Sequence, residues 1–109
     1  MEFKSSNPYN GEEVGVYTAL TQEALVEKLN KSHEAFESWK KVPLTERCNL
    51  IKKAGQVLRD NVERYAKMIT LEMGKPIVES KAEVTKCAWV CDYYAENAAL
   101  FLTDEYIAT

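Results

Sequence analysis

The sequence is poor in the residues that most catalytic chemistry needs. It has one histidine, His33, and three cysteines, Cys48, Cys87 and Cys91. An odd cysteine count, behind a start (Met1-Glu2-Phe3-Lys4) with no apolar leader, argues against a disulfide framework and makes the cytosol the expected compartment. Cys87 and Cys91 lie four apart and share a helix face, but a zinc site would need two more ligands, so no metal site is expected. The thiols are expected as small core residues. With four glycines, none in a glycine-rich loop after a strand, nothing is set to cradle a phosphate or dinucleotide. No apolar run approaches the roughly 20 residues of a membrane span. No long block of one charge is present, and the net charge is -3, from 14 basic and 17 acidic residues. Phosphate binding usually needs a clustered basic surface, so nucleic acid is disfavoured as a partner.

What is present suits one soluble globular unit. Of 109 residues, 46% are hydrophobic and 28% charged, enough for one core and one domain. Residues 3–20 read as a hairpin, because Asn7-Pro8-Tyr9-Asn10-Gly11 is dense in turn formers and Asn10-Gly11 is a strong short-range hairpin signal. The rest reads as four helices over 21–41, 45–60, 62–74 and 76–102. Thr21 is placed to cap the first, whose stripe is Leu25, Leu29, Ser32, Phe36 and Trp39. Pro43 stops it, and Thr45 is placed to cap the second, with Cys48, Ile51, Ala54, Gly55 and Leu58 on its inner face. Asn61 could cap again, and Val62, Tyr65, Ala66, Ile69 and Met73 carry the stripe onward. Gly74-Lys75-Pro76 ends the third helix, with the glycine suited to a left-handed cap. In the last helix Ile77, Val84, Cys91 and Ala98, with Ala88, Ala95 and Leu102, form a seam of mostly small residues for close packing. Residues 103–109 look like a strand just beginning.

No catalytic constellation emerges. His33 has no nucleophile at motif spacing and reads as a boundary residue. Cys48 is the best-placed thiol, near a helix start with Arg47 beside it, but its stripe points inward. Glu12/Glu13 and Asp104/Glu105 read as solvated surface. Lys86, Trp89 and Tyr93, spaced three and four, share one face of the last helix, either as a boundary surface or as the lining of a groove completed by other segments.

Six elements appear in order. They are the NPxxGExxG of Asn7 to Gly15, Ala35-Phe36-Glu37-Ser38-Trp39, Pro43-Leu44-Thr45-Glu46-Arg47, Leu71-Glu72-Met73-Gly74-Lys75-Pro76, Glu83-Val84, and Tyr93-Tyr94-Ala95-Glu96-Asn97-Ala98. Together they resemble the N-terminal segment of the aldehyde dehydrogenase superfamily, and the runs Leu71–Pro76 and Lys86–Ala98 look most like its succinate-semialdehyde branch. The resemblance implies a mainly α unit, the hairpin and helical layer that precede the nucleotide-binding sheet of an α/β cofactor domain. It implies a parent oxidising an aldehyde with NAD or NADP, through a cysteine nucleophile, a glutamate base and an oxyanion hole. Those parts belong to motifs that the 109 residues do not contain, so no catalytic or cofactor-binding residue is carried over. By the same resemblance Lys86, Trp89 and Tyr93 would border the substrate entrance, where a lysine suits a distal carboxylate. The expected partners are the rest of the parent chain, a small aldehyde and further copies in a homo-oligomer. By itself the segment is expected to be a single incomplete domain, without activity or NAD affinity. The alternative is a free-standing helical interaction module.

Overall fold

The structure is a computed structural model that describes residues 1–108. It is mainly helical, as expected: a two-stranded antiparallel hairpin, β1 (Glu2–Ser6) and β2 (Glu13–Thr18), then α1 (Gln22–Trp39), α2 (Leu44–Asp60), α3 (Val62–Met73) and α4 (Ile77–Phe101). The strands pair from Glu2 opposite Thr18 to Ser6 opposite Glu13, with a bulge that leaves Val14 unpaired. Lys4 Nζ reaches Glu13 at 2.9 Å across the pair.

The Asn10-Gly11 signal marks the loop correctly, but the turn is not a two-residue one. Such a turn would put both central residues at positive φ, and only Gly11 is there, at 75°. The loop runs from Asn7 to Glu12, closed by Asn7 N–H donating to Glu12 O and Gly11 N–H donating to Asn7 O, both at 2.8 Å. The side-chain carbonyls of Asn7 and Asn10 accept from the N–H groups of Tyr9 and Glu12, at 3.0 and 3.1 Å. Asparagine does here what a second backbone turn would do.

The helix ends show which sequence signals held. Thr21 caps α1, its hydroxyl accepting from Ala24 N–H at 3.2 Å. Thr45 does not cap α2: the cap position is Pro43, whose carbonyl accepts from Glu46 and Arg47 N–H at 3.0 and 3.1 Å. A proline fixed near its preferred φ can start the helix without a side-chain acceptor. Asn61 interrupts the chain between α2 and α3 but does not cap α3. Its amide instead donates back to Val57 O at 2.8 Å, while its backbone N–H donates to Leu58 O at 3.3 Å. Gly74 closes α3 at φ 70° in the left-handed region.

Helix α4 is the axis of the packing, and α2 lies antiparallel along it. Gly55 lets the two approach: a Cβ there would stand 3.1 Å from Cys91 Cβ and 3.2 Å from Ala88 O. Arg59 pairs with Asp92 on the same joint, and Lys52 with Glu96 at 3.3 Å. On the other flank Ala66 of α3 is buried against α4, and the buried Ser80 hydroxyl bonds Thr70 at 3.0 Å. Val84, Ala88, Cys91, Ala95 and Ala98 of the seam are buried or half-buried, whereas Ile77 and Leu102 at its ends are exposed. The hairpin leans on the far end of α3, with Ser5 Oγ 3.1 Å from Glu72 and Pro8 against Gly74.

This arrangement is an open layer. Only Ala66, Val84 and Ala88 are buried apolar side chains among the described residues. The radius of gyration is 19.1 Å, where a closed globule of this length has roughly 13 Å. The accessible surface is 9005 Å², about 2,900 Å² above the roughly 6,100 Å² of a closed monomer of this mass. That excess exceeds the area of a standard stable protein interface. The stripe of α1 is uncovered, with Leu29 60% and Phe36 55% exposed. Within this segment no described element covers that stripe. The strand expected at 103–109 is not formed over 103–108, where no neighbouring strand offers hydrogen bonds, and Thr109 lies outside the described residues.

Candidate functional site

The face of α4 that turns away from α2 and α3 carries the expected site residues. The structure does not gather all three in one place. Lys86 lines an open groove of about 690 Å³ with Lys75, Glu79, Glu83, Cys87 and Val90. Trp89 and Tyr93 lie beside that groove and do not line it. Trp89 is 64% exposed. Tyr93 joins an aromatic cluster, its ring 5.4 Å from Tyr94 in an edge-on arrangement and 5.9 Å from Phe101. The three share a broad helix face, but Trp89 is turned roughly 60° around the axis from Lys86, and Tyr93, only about 20° off, stands about 10 Å further along it.

The charges in the groove are arranged in a definite way. Lys75, in the turn before α4, holds the Glu83 carboxylate in an ion pair. The hydrogen bond that Lys75 donates to the Glu83 carboxylate raises the Lys75 ammonium above the ordinary lysine range; burial opposes the shift, and the negative charges of Glu83 and Glu79 add to it. Pro76 fixes the turn that brings Lys75 back over the first turns of α4. Lys86, one turn beyond Glu83, is exposed and has no ion pair among the described residues. Sequence spacing alone pairs Glu83 with Lys86, three residues on. The competing partner, Lys75, is hidden from that reading because it sits on another element.

The cysteines are divided. Cys91 packs against Gly55 and is half-buried, as is Cys48. Cys87 is exposed in the groove, contrary to the expectation of a core thiol. Four residues advance a helix by roughly 400°, and the resulting offset carries Cys87 past the edge of the joint. His33 is exposed on α1, and no cluster of His, Cys, Asp or Glu among the described residues could hold a metal ion. No helix among them is long and apolar enough to cross a membrane.

A hairpin followed by four helices, with α2 and α3 packed on the long α4 and the apolar stripe of α1 left exposed, matches a known architecture. The sequence profile described as "Aldehyde dehydrogenase family" matches residues 1–109. The chain belongs to the aldehyde dehydrogenase family. It corresponds to the N-terminal segment of that family. It is 37% identical over 109 residues to the probable succinate-semialdehyde dehydrogenase [NADP(+)] of Synechocystis sp., covering 100% of this chain and 24% of that protein. Among solved structures it resembles succinic semialdehyde dehydrogenase from Streptococcus pyogenes, in complex with NADP+ as the cofactor, with TM-score 0.90 and 30% identity, covering 98% of this chain and 24% of that one. It also resembles NADP-dependent glyceraldehyde-3-phosphate dehydrogenase from Bacillus halodurans C-125, complexed with NADP, with TM-score 0.85 and 26% identity, covering 91% of this chain and 21% of that one. The aldehyde dehydrogenase segment thus spans about a quarter of the length of the relatives it matches. The same layer serves proteins named for different aldehydes, so the layer alone does not choose the substrate.

Proposed function

We propose that this segment is the N-terminal layer of a cytoplasmic, homo-oligomeric, NAD(P)-dependent aldehyde dehydrogenase that oxidises succinate semialdehyde to the acid. The observation that carries the reading is the match along all 109 residues to the Synechocystis protein named as a probable succinate-semialdehyde dehydrogenase. The open faces support it: an uncovered α1 stripe and an exposed outer face of α4 ask for a larger body to pack on. In the parent, Lys86, Trp89 and Tyr93 border the substrate entrance. Lys86 supplies an uncompensated positive charge for the distal carboxylate, and the aromatic rings flank the aliphatic stem. The catalytic cysteine, the glutamate base and the cofactor site belong to the remainder of the enzyme, and the segment by itself neither binds NAD nor oxidises aldehydes.

The test is a chimera in which these residues replace the corresponding segment of the Synechocystis relative. Reduction of NADP is followed with succinate semialdehyde and with butanal, an uncharged aldehyde of the same chain length. The proposal expects an active chimera that prefers succinate semialdehyde, with the preference reduced by Lys86→Met. A chimera that folds, oxidises butanal and shows no such preference overturns the substrate assignment. Saturable NAD binding by the 109-residue chain alone overturns the placement of the cofactor site.

A further inference from the structure

Lys86 has a carboxylate within easy reach that it does not use. Glu83 stands one turn before it on α4, at a spacing where glutamate and lysine ordinarily pair. Lys75 takes Glu83 instead, reaching across from the Gly74-Lys75-Pro76 turn. Both members of that pair are about half-exposed, with side-chain accessibilities of 37% and 45%. The pair is therefore a weak structural device in its own right.

We propose that Lys75 is a positioning residue that sequesters Glu83 and thereby leaves Lys86 free to meet an anionic group at the mouth of the groove. The inference rests on the reading of Lys86 as a carboxylate anchor and adds the device that keeps it available. Without Lys75, the Glu83 carboxylate turns to Lys86, the other cation that lines the groove among the described residues. A carboxylated substrate then competes with an internal carboxylate for one ammonium. An uncharged substrate does not.

The readout is the ratio of KM for succinate semialdehyde to KM for butanal in the chimera. An internal glutamate–lysine pair on a helix surface competes at a level that raises this ratio about two- to five-fold. Lys75→Met and Lys75→Gln are expected to show that rise, and Lys75→Met combined with Glu83→Gln to abolish it. Glu83→Gln alone is expected to leave the ratio at or below that of the parent chimera. A structural role for Lys75 would move both KM values together, and removing Glu83 would not restore the ratio. If both Lys75 variants leave the ratio unchanged, or if Glu83→Gln fails to rescue, the sequestering role is wrong while the anchor stands. If Lys86→Met itself leaves the ratio unchanged, the anchor is wrong and the sequestering role falls with it.

Discussion

Replacing Gly55 with alanine sets two effects against each other, and the structure says which prevails. In an exposed helix interior, glycine to alanine stabilises by about 1 kcal/mol, because alanine loses less backbone entropy. At Gly55 the added Cβ would stand 3.1 Å from Cys91 Cβ and 3.2 Å from Ala88 O. Neither neighbour can yield alone: one is a carbonyl inside α4, and the other is a β-carbon fixed to the same helix. Relief requires α2 and α4 to move apart by a few tenths of an ångström along the main joint of the segment. Overpacking of this kind costs about 1–3 kcal/mol. The penalty outweighs the propensity gain, leaving a net loss of about 1 kcal/mol. Gly55→Leu, which cannot be relieved by a small shift, should prevent α2 from docking at all. Urea unfolding followed by far-ultraviolet circular dichroism measures the loss as a lower midpoint at unchanged slope. A midpoint raised by Gly55→Ala would show that the joint has slack, and would refute the close packing of α2 on α4.

Gly74→Ala meets both a φ of 70° and Pro8 Cγ at 2.9 Å. It should cost about 1–2 kcal/mol from the left-handed backbone alone, and hydrogen exchange should show the hairpin amides losing protection before those of α4. Thr21→Ala should cost α1 about 1 kcal/mol through its lost cap, read as fraying of the first turn by nuclear magnetic resonance. The Glu23 carboxyl is held below its ordinary range by its own backbone N–H, then by the Thr21 hydroxyl. Its contribution is therefore present above the ordinary carboxylate pKa and lost as pH falls through the lowered value, and Thr21→Ala should move that titration upward. The Lys75–Glu83 link runs the other way: raised in the folded state, it is intact below the ordinary lysine pKa and lost as pH rises through the folded value, which an alkaline titration of the Lys75 Nζ resonance should show.

The elements were legible in the sequence where local chemistry decides them. Thr21, Gly74 and Pro76 mark ends that any packing would respect, and the small-residue seam of α4 gave the joint with α2 and α3. Expectation and structure part where two local devices compete. Pro43 took the cap that Thr45 could have made, and Asn61 turned its amide back on α2 instead of forward onto α3. The stripe of α1 has the periodicity of a buried helix face, and within this segment no described element covers it. The candidate site was half legible. Helical spacing placed Lys86, Trp89 and Tyr93 on one broad face, but the groove separates Lys86 from the rings. The ion pair that shapes the charge there crosses a turn, which no spacing within one helix reveals.

The central claim is that these residues form an open layer whose apolar faces require a larger body. Small-angle scattering and light scattering on the 109-residue chain, with an apolar dye present, test it most directly. The account predicts dye binding, with either a radius of gyration near 19.1 Å or concentration-dependent association as the uncovered faces find one another. A monodisperse 12.4 kDa monomer that binds no dye, with a radius of gyration near the roughly 13 Å of a closed globule, would contradict it.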